Sequence, residues 1–324
     1  MTSPKRGNIF ALALICFSTI AVLIISFTIA FMEIDADKAS LAVIVIQDLI
    51  ILLLPVLFYC FVTHTKLLEI IPHEKLSLKN ALYVILLTIL ISPIILVVSS
   101  ITTLFYSSYE NNAAMFSIID GLPMGLCILA LAVMPALFEE LAFRGVILSN
   151  YKSVNLLKAA FVSGLFFGLF HMDFYQMPYA LVAGVFFSFL VRYTNSIYAS
   201  MLSHFLINVT QVIPTKILFV LRGSSEINRQ LELLQTSDSY GTIITGVFFT
   251  LIATPLLIIT FKRFMEHNKN HKLDYELSIT QTDNTEFEIP IDSIKGSKSG
   301  FVDIYFIAYV IVTIALTIIL NCFK

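Results

Sequence analysis

Runs of about 20 predominantly apolar residues, the length that carries a helix across a hydrocarbon core, divide this 324-residue chain nearly end to end. They lie at residues 9–31, 40–62, 81–105, 122–148, 156–173, 176–192, 196–215, 242–261 and 301–323. Such runs cannot all be exposed to water, and in lipid each must satisfy its own backbone polar groups. The reading is an all-α polytopic membrane protein with about 8–9 transmembrane helices. Only 13% of residues are charged, against about 25% in soluble domains. The first run follows Lys5 and Arg6, but it is longer than a signal-peptide core and no clear small-x-small cleavage site follows it, so it reads as a spanning anchor.

Charge then orients the chain, since cytoplasmic loops collect lysine and arginine. Lys5 and Arg6 place the N-terminus in the cytoplasm, and Glu33, Asp35 and Asp37 mark an external first loop. Lys66, Lys75 and Lys79 mark the next internal one; Lys152, Lys158, Arg192, Lys262 and Arg263 continue the alternation. Arg222, in an external loop, runs against it. Basic residues form no stripe, which argues against a nucleic-acid partner. The four cysteines, Cys16, Cys60, Cys127 and Cys322, lie in apolar runs without metal spacing and read as small buried hydrophobes. His64, His73, His267 and His271 fall in polar loops and read as solvated. Polar stretches at 223–240 and 264–300 interrupt the apolar pattern, the second separating a final helix that looks peripheral. The chain thus divides into residues 1–117 with three helices, a segment 118–215, and residues 216–324 carrying the loop 264–300.

Against this background a few polar residues stand out. Glu139, Glu140 and Arg144 lie inside the fourth run, where each charge costs about 2.5–3.5 kcal/mol to insert. Glu140 and Arg144 are four apart with the acid first, the better orientation for an ion pair on one helix face. Glu139 is turned by about 100° and has Phe143 at its own i+4 position, so it lacks an on-helix partner and suits a working base. His171 ends the fifth run, four residues after Phe167, and Gly164 and Gly168 form a G-x-x-x-G that permits close helix approach. His204 and Asn208 are also four apart, two donors aimed at one point, as an oxyanion site requires. Taken singly, the ion pair and each histidine read equally well as helix–helix packing devices. His171 and Asp173 diverge on a helix and make a poor metal pair. Asn208-Val-Thr has the form of a glycosylation acceptor but lies inside a span.

Together these residues resemble a known family. Phe-Glu-Glu-Leu-Ala-Phe-Arg-Gly (138–145), Phe167-Gly-Leu-Phe-His171 and His204-Phe-Leu-Ile-Asn208 are similar to the three motifs of the CAAX-protease and bacteriocin-processing (CPBP, or Abi) intramembrane endopeptidases. The resemblance covers about residues 118–215 and implies a central catalytic bundle that hydrolyses peptide bonds within the membrane. It implies that Glu139, assisted by His171, activates a water, and that His204 and Asn208 stabilise the oxyanion. Glu140, Arg144 and Phe167 would support the geometry. The implied mechanism is metal-free with no cofactor, although Glu139, His171 and His204 are acceptable zinc ligands if a metal is bound. The implied partners are membrane lipids and a membrane-associated or lipidated peptide, and the setting a bacterial cell membrane. A non-catalytic scaffold or bacteriocin self-immunity protein is the alternative. A transporter would call for broken helices and internal repeats, and Pro93, Pro135 and Pro255 come without repeats.

Overall fold

The computed structural model describes residues 2–32, 48–106, 115–116, 118–221, 239–269 and 300–322. The first acidic loop, nearly all of 223–240, most of 264–300, Arg222 and His271 lie outside the described residues. The architecture is all-helical: α1 (Pro4–Phe31), α2 (Leu49–Thr63), α3 (Leu78–Thr103), α4 (Met124–Asn150), α5 (Leu156–Phe170), α6 (Gln176–Thr194), α7 (Ile197–Val220), α8 (Ser239–His267) and α9 (Ile304–Cys322). Of these, α1, α3, α4, α6, α8 and α9 are long and apolar enough to cross a membrane. α2 and α5 are shorter apolar helices. Large apolar side chains cover the outer faces, among them Ile20, Leu23, Ile24 and Phe27 on α1 and Ile244, Phe248, Leu251 and Ile252 on α8. A soluble chain would not leave so continuous an apolar surface uncovered. The protein is a polytopic membrane protein.

Local sequence sets the helix ends. The Ser77 hydroxyl accepts from Asn80 N to start α3, and Asn155 Oδ1 accepts from Leu157 N to start α5. Asp173 Oδ1 accepts from Tyr175 N and Gln176 N at 2.7 and 3.1 Å, so this acid caps the start of α6. Asn195, at φ 49°, ends α6 in the left-handed conformation and turns the chain into α7 within two residues. Lys216–Val220 continues α7 as regular helix, and the Lys216 ammonium donates to the carbonyls of Ile119 and Asp120.

Two of the helices are wound unevenly. In α2 and α4, π-helical turns at Leu49–Leu53 and Leu129–Val133 run directly into Pro55 and Pro135. A proline lacks the N–H that would continue the α-helical ladder, and a widened turn before it removes the clash with the preceding carbonyl. A third π-turn, Leu141–Ile147, has no proline and contains Arg144.

Packing follows the small residues. At Gly164 an added Cβ would sit 2.7 Å from Val185 N and 2.9 Å from Leu181 O, and at Gly168 2.7 Å from Met177 O. The α5 backbone therefore lies directly on that of α6. One apolar core joins α1, α2, α4 and α5 around Phe143, Phe166 and Phe167; a second joins α3, α6 and α7 around Leu87, Phe187 and Leu190. Three details differ from the sequence reading. The stretch read as a loop from residue 264 begins as the last turn of α8, which runs to His267 with Phe264 buried. Cys16 is exposed on the surface of α1 rather than buried, because its position falls on the outer face. And α9, outwardly apolar, buries Tyr309, Thr313 and Thr317 against its neighbours. Gly164→Ala should push α5 off α6 and lower stability by about 1–3 kcal/mol, read as a reduced thermal midpoint in detergent.

Candidate active site

The site is built where α4, α5, α6 and α7 meet. On α4, Glu140 and Arg144 form the pair the spacing predicts: Arg144 Nη1 donates to Glu140 Oε1 at 2.8 Å, with both side chains fully buried. Arg144 does more than neutralise the acid. Its Nη2 donates to the Gly184 carbonyl of α6 at 3.0 Å. Its guanidinium lies 4.5 Å from the ring centroid of Phe167 and 5.1 Å from that of Phe187, within cation–π range. A Cβ at Gly184 would come within 3.1 Å of Nη2, so the missing side chain makes room for the arginine.

His204, buried on α7, joins this group through Glu140. Its Nδ1 lies 3.0 Å from Glu140 Oε1, and its Nε2 lies 3.8 Å from Glu139 Oε2. A carboxylate can only accept, so Nδ1 carries the proton and Nε2 is the edge turned toward Glu139. The Phe187 ring stacks on the imidazole at 5.2 Å and Phe167 meets it edge-on at 5.8 Å. Sequence spacing linked His204 to Asn208; its contact with Glu140 is a tertiary one that no spacing on a single helix could reveal. Asn208 lies one turn further along α7, half-buried, and makes no side-chain hydrogen bond among the described residues.

His171 follows the last residue of α5. Its Nδ1 lies 2.8 Å from the Phe167 carbonyl, which can only accept, so Nδ1–H is again the donor and Nε2 the free edge. The Phe167 ring meets His171 edge-on at 5.0 Å. Phe167 thus touches both imidazoles and the guanidinium, a role its place in the sequence motif does not explain by itself. Asp173 caps α6, closes the turn after His171 and stands within electrostatic reach of His171 and Tyr179.

Glu139 is more open than Glu140, its side chain 16% exposed against 0%. Two residues outside the sequence reading stand within electrostatic reach of it. One is Asp48, at the start of α2, whose Oδ2 is buried with no hydrogen-bond partner among the described residues. The other is the half-buried Tyr179 on α6. Asp48 was detectable as an acid inside the apolar run 40–62. Among the described residues no three His, Cys, Asp or Glu side chains are grouped so as to hold a metal ion, Glu139, His171 and His204 included. The arrangement presents the Glu139 carboxylate 3.8 Å from the Nε2 edge of His204, beside the rings of Phe167 and Phe187, groups able to take and return a proton.

Residues 120–210 match one family model, described as Type II CAAX prenyl endopeptidase Rce1-like. The family read from the three motifs is the family this match supports. The matched segment holds Glu139, Glu140, Arg144, Phe167, His171, His204 and Asn208 and spans under a third of the chain. No curated protein and no solved structure matches the chain. Asp48 falls outside the Rce1-like segment, and so do α1, α8 and α9.

Within this segment the Glu140–Arg144 pair is the structural key. Arg144→Met should leave a buried, uncompensated carboxylate and cost about 3–5 kcal/mol, read as a large fall in thermal midpoint. The double change Glu140→Gln with Arg144→Met should recover part of that loss.

Proposed function

We propose that this protein is an intramembrane endopeptidase, hydrolysing a peptide bond in a membrane-associated or lipidated substrate of CAAX or bacteriocin-related type. The observation that carries the reading is the position of Glu139. Its carboxylate stands 3.8 Å from His204 Nε2, too far for a direct hydrogen bond and open enough for a water touching both. The Rce1-like match supports the same reaction class.

In this mechanism Glu139, assisted by His171 Nε2, takes a proton from water as the oxygen attacks the scissile carbonyl. The carbonyl oxygen becomes an oxyanion, which needs N–H donors. Asn208 supplies one from its amide. His204 supplies the other from Nε2 once its imidazole is protonated, and Glu140, already accepting from Nδ1, stabilises that imidazolium. Arg144 keeps Glu140 in place and ionised. Collapse of the intermediate breaks the C–N bond, and the proton held by Glu139 passes to the departing amine. The water proton taken by Glu139 goes to the leaving amine, the extra proton on His204 is taken up from solvent before the attack and kept through turnover, and no step is routed through a metal.

Two experiments test this. In membranes from cells carrying the wild type or Glu139→Gln at matched expression, new peptide termini should appear with the wild type and vanish with the variant. Identical termini would favour a scaffold or immunity role. For the purified protein, cleavage of an internally quenched, farnesylated CAAX peptide should survive exhaustive chelation. Loss of cleavage that added zinc restores would overturn the metal-free step.

A further inference from the structure

The last helix reaches the catalytic histidine from outside the Rce1-like segment. In α9, Tyr309, Thr313, Thr317 and Asn321 recur every four residues, forming one polar line down an otherwise apolar helix. Tyr309, Thr313 and Thr317 are buried. Lipid would not select such a line, and hydroxyls in a membrane helix normally mark a contact with another helix. Here the threonines bond back to their own helix, Thr313 to Tyr309 O and Thr317 to Thr313 O at 2.7 Å each, and so keep a thin surface. The two ends of the line bond elsewhere.

Both bonds go to the backbone beside His171. The Tyr309 hydroxyl donates to Phe166 O at 2.7 Å, with its ring 4.5 Å from the Phe166 ring. Asn321 Nδ2, held by Thr317 O at 2.7 Å, also reaches Met172 O at 3.5 Å. The chain between those anchors is the tight end of α5. Phe167 O accepts the His171 ring, Gly168 O accepts His171 N at 3.3 Å, and Leu169 O accepts Met172 N at 3.1 Å. Met172 itself is held at φ 50°, a conformation costly for a side chain of its kind and maintained only where surroundings impose it. The near end of α9 is fixed as well: Asn8 of α1 donates to Phe301 O and to Asp303 Oδ1, and Tyr151 donates to Asn8. Nothing in this chain of bonds touches Glu139 or the substrate space.

We propose that α9 is a brace for His171, and that Tyr309 and Asn321 are positioning residues for the endopeptidase reaction. They fix the last turn of α5 from both sides, so that the Phe167 carbonyl holds Nδ1–H and leaves Nε2 as the acceptor edge. The proposal rests on the endopeptidase reading for its catalytic consequence, but not for its structural one.

The test uses the full-length chain in lipid nanodiscs, labelled with 15N-histidine, with His171→Gln to identify the His171 signals among the six histidines. Wild type should give the neutral Nδ1–H pattern for His171, and Tyr309→Phe should give a tautomer mixture. On the farnesylated CAAX peptide Tyr309→Phe should lower kcat by about tenfold to a hundredfold with KM nearly unchanged. Combined with His171→Ala it should add no further loss. If Tyr309→Phe does not fold, Asn321→Leu carries the same readouts from the other anchor. Unchanged His171 signals and turnover in a folded variant would overturn the brace. A changed His171 pattern in a protein whose wild type neither cleaves the peptide nor produces termini that Glu139→Gln abolishes would uphold the brace and sink the endopeptidase reading instead.

Discussion

Arg144 is the residue on which the site depends. Removing a guanidinium from water costs several kcal/mol even after relaxation, and only good geometry returns it. Here the return comes from three helices: the Glu140 carboxylate of α4, the Gly184 carbonyl of α6, and the faces of Phe167 on α5 and Phe187 on α6. Each partner carries a further obligation. Glu140 also holds His204, Phe167 also touches both histidines, and Gly184 must stay bare so that Gly164 can lie against it, an added Cβ meeting Gly164 Cα at 2.8 Å. A single buried cation thereby fixes the relative positions of α4, α5, α6 and α7.

Much of this was legible in the sequence, and for identifiable reasons. Helix positions follow from apolar length, so among the described residues each of the nine runs contains a helix, the start of the run 40–62 lying outside them. The Glu140–Arg144 pair follows from an i, i+4 spacing, and the closeness of α5 to its neighbour from Gly164 and Gly168. What was not legible depends on which helices meet. His204 bonds Glu140 across 64 residues of sequence, and Arg144 bonds the Gly184 carbonyl across 40. A backbone carbonyl as partner leaves no trace in residue identity at all.

The last helix illustrates a different failure. Its mean composition is apolar, and an average over the run hides a polar residue at every fourth place. Reading it by composition makes it peripheral; reading it by period exposes the line of Tyr309, Thr313, Thr317 and Asn321. Both statements hold of the structure, since the outer face of α9 carries exposed Ile307, Ile311, Ile314 and Ile318. The useful signal was in the spacing of hydroxyls and amides, a small minority of positions.

The wide turn at Leu141–Ile147 has a consequence for how this protein tolerates changes in length. A π-turn accommodates one residue more than the α-helical ladder would, with its hydrogen bonds reaching one residue further. Removing any one residue there would leave an ordinary helix, fully hydrogen-bonded and no less apolar. Because the wide turn already absorbs the surplus residue, the flanking parts of α4 would keep nearly their present phase, and only the register inside the turn would change. Deleted between Glu140 and Arg144, the lost residue would leave the cation three residues from its acid in place of four; deleted after Arg144, the pair and the bonds of Ser149 and Asn150 to Ile70 and Tyr59 would survive. Residue number in this turn, as distinct from residue type, is therefore part of what the site encodes.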